Sequence, residues 1–299
     1  MQRPRPTPDL QFVFHPEADG GYRHFDGHDT VPFDPAAATM TRANAWWLAE
    51  AALLAYWDPD PARQRFAAAG LDAAIVEGGD TQAYVASMPG AVLVAFRGTE
   101  PDRLGDSFDD ARFALVPSTR GAVHAGFHNA LDRVWTPLVE KLTPLAGSRT
   151  VWFSGHSLGA ALATLAADRF PATAGVCTLG SPRVGDRTFA AAFDAQFGAR
   201  AARYVNDADI VTHLPTPFPL PYQHVGQLRQ ITPDGRITGQ APALAHFVQD
   251  IFGNVGHLQD VVHGLQRGTM RHAPDFLLDH MPRGYTTDIW NDHDAHGTT

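Results

Sequence analysis

The chain has 299 residues, 44% of them hydrophobic and 18% charged, a composition that buries a large core and excludes a disordered protein. Its formal net charge of −9 argues against a nucleic-acid partner, because a phosphate backbone needs clustered Lys and Arg. The single cysteine, Cys177, excludes an intrachain disulfide and reads as a small buried strand residue.

Residues 1–38 are rich in Pro, Asp, His and Gly and read as an irregular N-terminal arm wrapped on the domain. Basic residues at the start are not followed by an apolar run, so no secretory signal is expected, and a cytoplasmic location is favoured over secretion with the signal removed. Within the arm, "HFDGHD" at 24–29 offers possible zinc ligands but lacks a further ligand pair, so no metal is expected. Thr39 or Thr41 then caps a helix carrying Trp46, Trp47, Leu53, Leu54 and Trp57, which ends at Asp58-Pro59. Its apolar run is interrupted by Glu50 and is too short for a bilayer, which takes about 20 residues. The tryptophans read as core anchors.

"AAIVEG", "TQAYVASM" and "GAVLVAFRGT" read as strands, the last apolar throughout and so expected inside a sheet covered on both faces. Helix, strand, helix, strand, helix and strand follow in "HNALDRVWTPLVEKL", "TVWFS", "AALATLAADRF", "AGVCTLGS", "DRTFAAAFDAQF" and "ARYVN". That alternation predicts an α/β fold with a mostly parallel central sheet flanked by helices on both faces. Beyond Asp209 come a proline-rich loop, "HLPTPFPLPYQHVG", a hairpin around Pro233-Asp234-Gly235, and a helical segment from Ala243 to Gly268. The expected organisation is one domain over 39–290 with a frayed tail at 291–299.

At the joint of "TVWFS" and its helix, Gly155-His156-Ser157-Leu158-Gly159 matches G-x-S-x-G in the context that gives it meaning. A serine on a sharp strand-to-helix turn exposes its hydroxyl, and the helix N-terminus aims backbone N–H groups at the point where negative charge develops. A plain turn would not explain its place between a buried strand and a helix of small residues. A nucleophilic serine needs a base oriented by an acid. Asp207 and Asp209 both follow a later strand and either can reach. The base is open among His213, His224, His246, His257, His263, His272, His280, His293 and His296, with His280 distinguished by the apolar "DFLL" before it.

"AVLVAFRGTE", "VHAGFHNA", "FSGHSLGAALA", "TLGSPRVGD", "YVNDADIVTHLP" and "LLDHMPRGY", in this order, resemble the class 3 lipases, the α/β-hydrolase family that includes the fungal triacylglycerol lipases. The resemblance spans roughly residues 40–290. It implies Ser157 as nucleophile, Asp209 as acid with Asp207 as spacer, and His280 as base. It implies an oxyanion hole from Thr99 and the N–H of Leu158, no metal or organic cofactor, and an ester or lipid substrate. "EPDRLGDSFDDARFALVPSTRGA" corresponds to the family's lid, at about 100–116, through which a transient lipid-interface contact is expected. Relatives often carry tryptophan where this chain has Ser107, and the lid is acidic at Asp102, Asp106, Asp109 and Asp110, which argues against strong interfacial activation and for soluble or short-to-medium acyl esters. Those aspartates match no calcium loop and read as a solvated surface. His156, Phe108, Phe218 and Leu220 are candidate substrate contacts, Phe218 and Leu220 as a wall of the acyl pocket.

The function expected is thus a lipase or esterase working through an acyl-enzyme. The alternatives are a feruloyl-type esterase or a phospholipase A1 on the same fold, a catalytically silent lipid-binding module, and an intracellular signalling lipase regulated by a partner.

Overall fold

In the computed structural model the described residues are 1–98, 114–218, 220–240 and 274–297. Thr99, Phe108, the four lid aspartates and the helical segment expected over 243–268 lie outside them. Of the lid segment, Ala114, Leu115 and Val116 are described, the last two opening a strand.

Eight strands form the main sheet: β1 (Asp72–Gly78), β2 (Thr81–Met88), β3 (Ala91–Phe96), β6 (Thr150–His156), β7 (Thr173–Leu179), β9 (Ala201–Asn206), β11 (Gln227–Ile231) and β12 (Ile237–Thr238), adjacent in that order. The five from β3 to β11 run parallel, while β1, β2 and β12 pair antiparallel at the edges. A smaller sheet joins β4 (Leu115–Ser118), β5 (Gly121–His124), β8 (Gly185–Asp186) and β10 (Tyr222–Gln223). The hairpin expected around Pro233 is formed by β11 and β12.

The unbroken apolar run of β3 has a simple cause. Ala91, Leu93 and Ala95 point into one core and Val92, Val94 and Phe96 into the other, so the period of two is present but both faces are dry. One core holds the arm, α2 (Arg42–Leu54), α3 (Pro59–Ala68) and the C-terminal α8 (Pro282–His296). The other holds α4 (Ala125–Ala146), α5 (Leu158–Arg169) and α6 (Arg187–Phe197). This three-layer arrangement agrees with the α/β architecture expected.

Helix α2 is buried on nearly every side, which is why its pattern shows no polar stripe. Its cap is Thr41, whose side chain accepts from the Asn44 N–H at 3.1 Å. Trp46 and Trp47 pack in the core, with their indole N–H groups donating to Glu50 and to the Val31 carbonyl. Asp58-Pro59 starts α3 as well as closing the preceding turn, with the proline in the first helical turn where its missing N–H costs nothing.

Two corrections apply to the chain's ends. The arm carries a short helix, α1 (Leu10–Phe14), and a 3₁₀ turn at Pro16–Ala18. The expected tail is instead the last turns of α8: His293 is buried, Asp292 pairs with Arg42 at 2.8 Å, and Asn291 exchanges hydrogen bonds with the Arg3 backbone. Those partners are hundreds of residues away in sequence, so nothing local marks 291–296 as ordered.

The candidate active site

The elbow follows from steric necessity. Ser157 sits between β6 and α5 at φ 59°, a left-handed conformation costly for a residue with a Cβ, on the order of 1–3 kcal/mol. The surrounding packing holds it there. A Cβ on Gly155 would lie 2.2 Å from the Gly159 carbonyl oxygen, and one on Gly159 would lie 2.3 Å from that of Phe96. Both flanking glycines are thus required for α5 to lie against β3 and β6. The Ser157 N–H donates to the Leu179 carbonyl at 3.0 Å, tying the turn to β7. Leu158 opens α5, so its backbone N–H belongs to the unpaired first turn of a 12-residue helix.

Strand β9 delivers Asp209. Its fully buried carboxylate accepts from the Val211 N–H at 3.0 Å and faces His280, whose Nδ1 lies 2.9 Å from Oδ1 and 2.8 Å from Oδ2. His280 stands between α7 (Asp275–Leu278) and α8. From α8, the Tyr285 hydroxyl donates to Asp209 Oδ2 at 2.5 Å and accepts from the Asn206 N–H at 2.9 Å. Burial, then the adjacent Asp209 charge, push the Tyr285 phenol well above its ordinary range, so it remains a donor. With Nδ1 committed to the carboxylate, His280 Nε2 has no hydrogen-bond partner among the described residues, and neither has Ser157 Oγ; both atoms are buried. A buried polar atom of each type left without a protein partner is what a site that takes a further participant shows.

The positions expected from sequence divide three ways. Asp209 and His280 come together, and the ring of His156, the residue before Ser157, lies 4.4 Å from that of His280. The charge of Asp207 acts on Asp279. His156 is only 2% exposed and turns to Tyr56, while Phe218 is 82% exposed and Leu220 half-buried. The histidines of "HFDGHD" diverge, His24 toward Glu50 and His28 toward the Phe25 carbonyl. Among the described residues no three His, Cys, Asp or Glu side chains converge as metal ligands.

Three contributors escaped the reading of motifs. Gly180, at φ 57°, leaves room such that a Cβ there would lie 2.8 Å from Asp209 Oδ2 and 3.1 Å from His280 Nδ1. Arg183, buried, donates to the carbonyls of His213 and Pro215, pinning the start of the proline-rich loop beside Asp209; burial lowers its guanidinium to about 10. Asp279 is pushed up to about 7, first by burial and then by repulsion from Asp207. Gly180 and Arg183 lie in "TLGSPRVGD", so the motif held the signal, but only their neighbours across the fold give it meaning.

The family model described as Lipase (class 3) matches residues 93–218. The lipase of Rhizopus niveus is 33% identical over 150 residues, which cover 46% of this chain and 38% of that protein. The phospholipase A(1) DAD1, chloroplastic, of Arabidopsis thaliana is 36% identical over 98 residues, covering 30% of this chain and 22% of its own length. The chain thus spans about two fifths or less of the length of these curated relatives. Among solved structures, the lipase from Rhizopus microsporus var. chinensis superposes with a TM-score of 0.52 at 26% identity, over 73% of this chain and 82% of that one. The matched span runs from β3 through the elbow to the loop beyond Asp209; over it the chain is similar to the class 3 lipases, and its architecture is that of the α/β-hydrolase fold.

Proposed function

We propose that this protein is a serine carboxylic ester hydrolase that cleaves acylglycerols or related fatty-acyl esters through an acyl-enzyme. The observation that carries the reading is the orientation of His280. Asp209 holds its Nδ1 at 2.8 Å, which fixes the proton there and leaves Nε2 as an acceptor, with the His280 ring 4.4 Å from that of His156, the residue before the strained Ser157.

In this reading His280 Nε2 takes the Ser157 hydroxyl proton as Oγ attacks the ester carbonyl. The carbonyl π pair moves to oxygen, and the resulting oxyanion is met by the Leu158 N–H and by Thr99, assigned from the family motif. Asp209, held by Tyr285, stabilises the imidazolium. Collapse of the tetrahedral species breaks the ester C–O bond, and His280 returns its proton to the departing alcohol. Water, deprotonated by the same nitrogen, then releases the fatty acid and restores Ser157.

The acidic surface, with a net charge of −9, supports soluble or short-to-medium acyl esters over packed anionic lipid. The experiment is hydrolysis of p-nitrophenyl esters from acetate to palmitate, with fluorophosphonate labelling, for the protein and its Ser157→Ala variant. The expected result is loss of labelling and a fall in kcat on the order of 10⁴-fold or more. Activity surviving in Ser157→Ala would overturn the mechanism. Smooth saturation through the solubility limit of a short triglyceride is expected, and a jump at that limit would shift the assignment to an interfacial lipase. Faster cleavage of phosphatidylcholine than of triacylglycerol would favour the phospholipase A1 reading that the similarity to the Arabidopsis enzyme raises.

A further inference from the structure

The elbow carries a second histidine that the hydrolytic scheme leaves unused. His156 is almost fully buried; its ring centroid lies 4.4 Å from that of His280, at an interplanar angle of 37°, and 5.8 Å from that of Tyr285. Its Nδ1 is 2.8 Å from the phenol oxygen of Tyr56, just past the end of α2.

That oxygen also takes a hydrogen bond from the Gly98 backbone. Gly98 packs so closely that a Cβ there would lie 2.0 Å from the phenol oxygen and 2.8 Å from the His156 carbonyl oxygen. A phenol has one proton. Where Tyr56 gives that proton to Nδ1 across their 2.8 Å contact, the ring proton of His156 stands on Nε2. Burial holds the Tyr56 phenol above its ordinary range, so it stays protonated. Burial first, and then repulsion from His280, hold His156 well below the ordinary imidazole range. Nε2 has no hydrogen-bond partner among the described residues.

The charged and titratable groups around this pair are accounted for by element. Arg97, beyond β3, and Glu17, in the arm, act on Tyr56; His280 and Tyr285 face the imidazole, and Asp209 and Asp279 act on Tyr285. Among the described residues no anion acts directly on His156.

We propose that Tyr56 and His156 are positioning residues for the general base, with Tyr56 locking His156 as a neutral platform against which the His280 ring is set. The proposal rests on the hydrolytic reading of Ser157, Asp209 and His280. In that scheme His280 becomes an imidazolium in both half-reactions. A neutral ring beside it imposes no like-charge repulsion, whereas a protonated one would oppose each proton transfer. The same phenol packs against Gly98, beyond the end of β3, and so joins that stretch to the elbow.

The test measures kcat and KM for p-nitrophenyl butyrate across pH, normalised to the fraction of serine titrated by a fluorophosphonate, in wild type, Tyr56→Phe, and Tyr56→Phe combined with His156→Phe. In Tyr56→Phe, kcat per titrated serine is expected to fall about tenfold with KM within about twofold, and a second ionisation is expected on the acid limb. The His156→Phe change should remove that second ionisation, because phenylalanine keeps a ring but takes no proton. A purely structural role would lower the titratable fraction and leave the normalised profile on that of wild type, and that result would overturn the proposal. Should Tyr56→Phe fail to fold, histidine nitrogen NMR of the wild-type protein decides: an unprotonated Nδ1 on His156 is required, and a protonated Nδ1 sinks the idea. Failure of the underlying reading is separately visible as fluorophosphonate labelling somewhere other than Ser157.

Discussion

Gly180 shows how little room the site leaves at the level of single residues. A methyl group there would meet Asp209 Oδ2 at 2.8 Å, and the φ of 57° penalises any side chain on top of the clash. Gly180→Ala is expected to fold, with a loss of about 1–3 kcal/mol in urea titration, and to lower kcat about 100-fold by displacing Asp209 or His280. Wild-type kcat in a folded variant would show that the carboxylate tolerates the intrusion. Tyr285→Phe removes one donor from Asp209 and leaves the buried Asn206 N–H without an acceptor. The expected cost is about 1–3 kcal/mol of stability, with kcat reduced roughly tenfold and KM unchanged. A shift in KM alone would place Tyr285 in substrate binding. Ser157 was legible from five residues because its strain is local. Gly180 was not, because the atoms it avoids belong to the turn after β9 and to the segment before α8.

The turn between α7 and α8 carries a pH response at the level of an element. Asp279 accepts from the Ala208 N–H at 3.3 Å, and it lines a cavity of about 380 Å³ together with Asp207, Asp275 and Arg5. Its carboxyl is pushed up to about 7 in the folded protein, against about 3.9 for an unperturbed aspartate. The folded state therefore binds this proton more tightly than the unfolded chain does. Its contribution to stability is fully present below about pH 4 and is lost as pH rises toward 7, on the order of 2 kcal/mol after allowance for partial exposure. Asp279→Asn, neutral throughout and still able to accept from Ala208, should melt progressively higher than wild type from pH 5 to pH 8. Parallel melting curves over that range would contradict the assignment. Elements themselves were largely readable. The main-sheet strands from β1 to β9 and the helices α4 to α6 follow from apolar patterning; the short strands β4, β5 and β8 of the smaller sheet do not, and α3 was missed because Asp58-Pro59 read as a stop and serves also as a start.

Across the whole molecule, the arm is bonded to the core through a buried charge. Glu50, on α2, takes hydrogen bonds on Oε1 from Tyr22 at 2.8 Å, Trp46 at 3.0 Å and Arg3 at 3.1 Å, with His24 Nδ1 3.5 Å from Oε2. Burial alone would raise its carboxyl; the hydrogen bond and charge of His24, then Arg3, outweigh that and leave it lowered. Arg3 also lies 3.9 Å over the Trp290 ring of α8. This one network links arm, α2 and the helix that carries Tyr285. Removing the acid strands Arg3 and His24, so Glu50→Ala is expected to cost about 3–5 kcal/mol near pH 7, read from urea unfolding. The penalty should shrink in acid, where a carboxyl with a lowered ionisation loses its contribution as it is protonated. A loss below about 1 kcal/mol would mean that the arm docks by apolar packing instead.

The amino-acid sequence alone determined the three-layer architecture, the elbow and the ordered set of motifs, because strand and helix periods, glycine punctuation and a strained turn are local properties. It also narrowed the acid to two adjacent aspartates, and the family resemblance chose between them. Only the tertiary structure brought Tyr285 and Gly180 against Asp209, turned His156 onto Tyr56, and showed that Glu50, a mere interruption in an apolar run, anchors the arm. Each of those contacts joins residues far apart in the chain. Their energies arise from mutual burial and hydrogen bonding, which no local pattern encodes until the sheet has closed the distance.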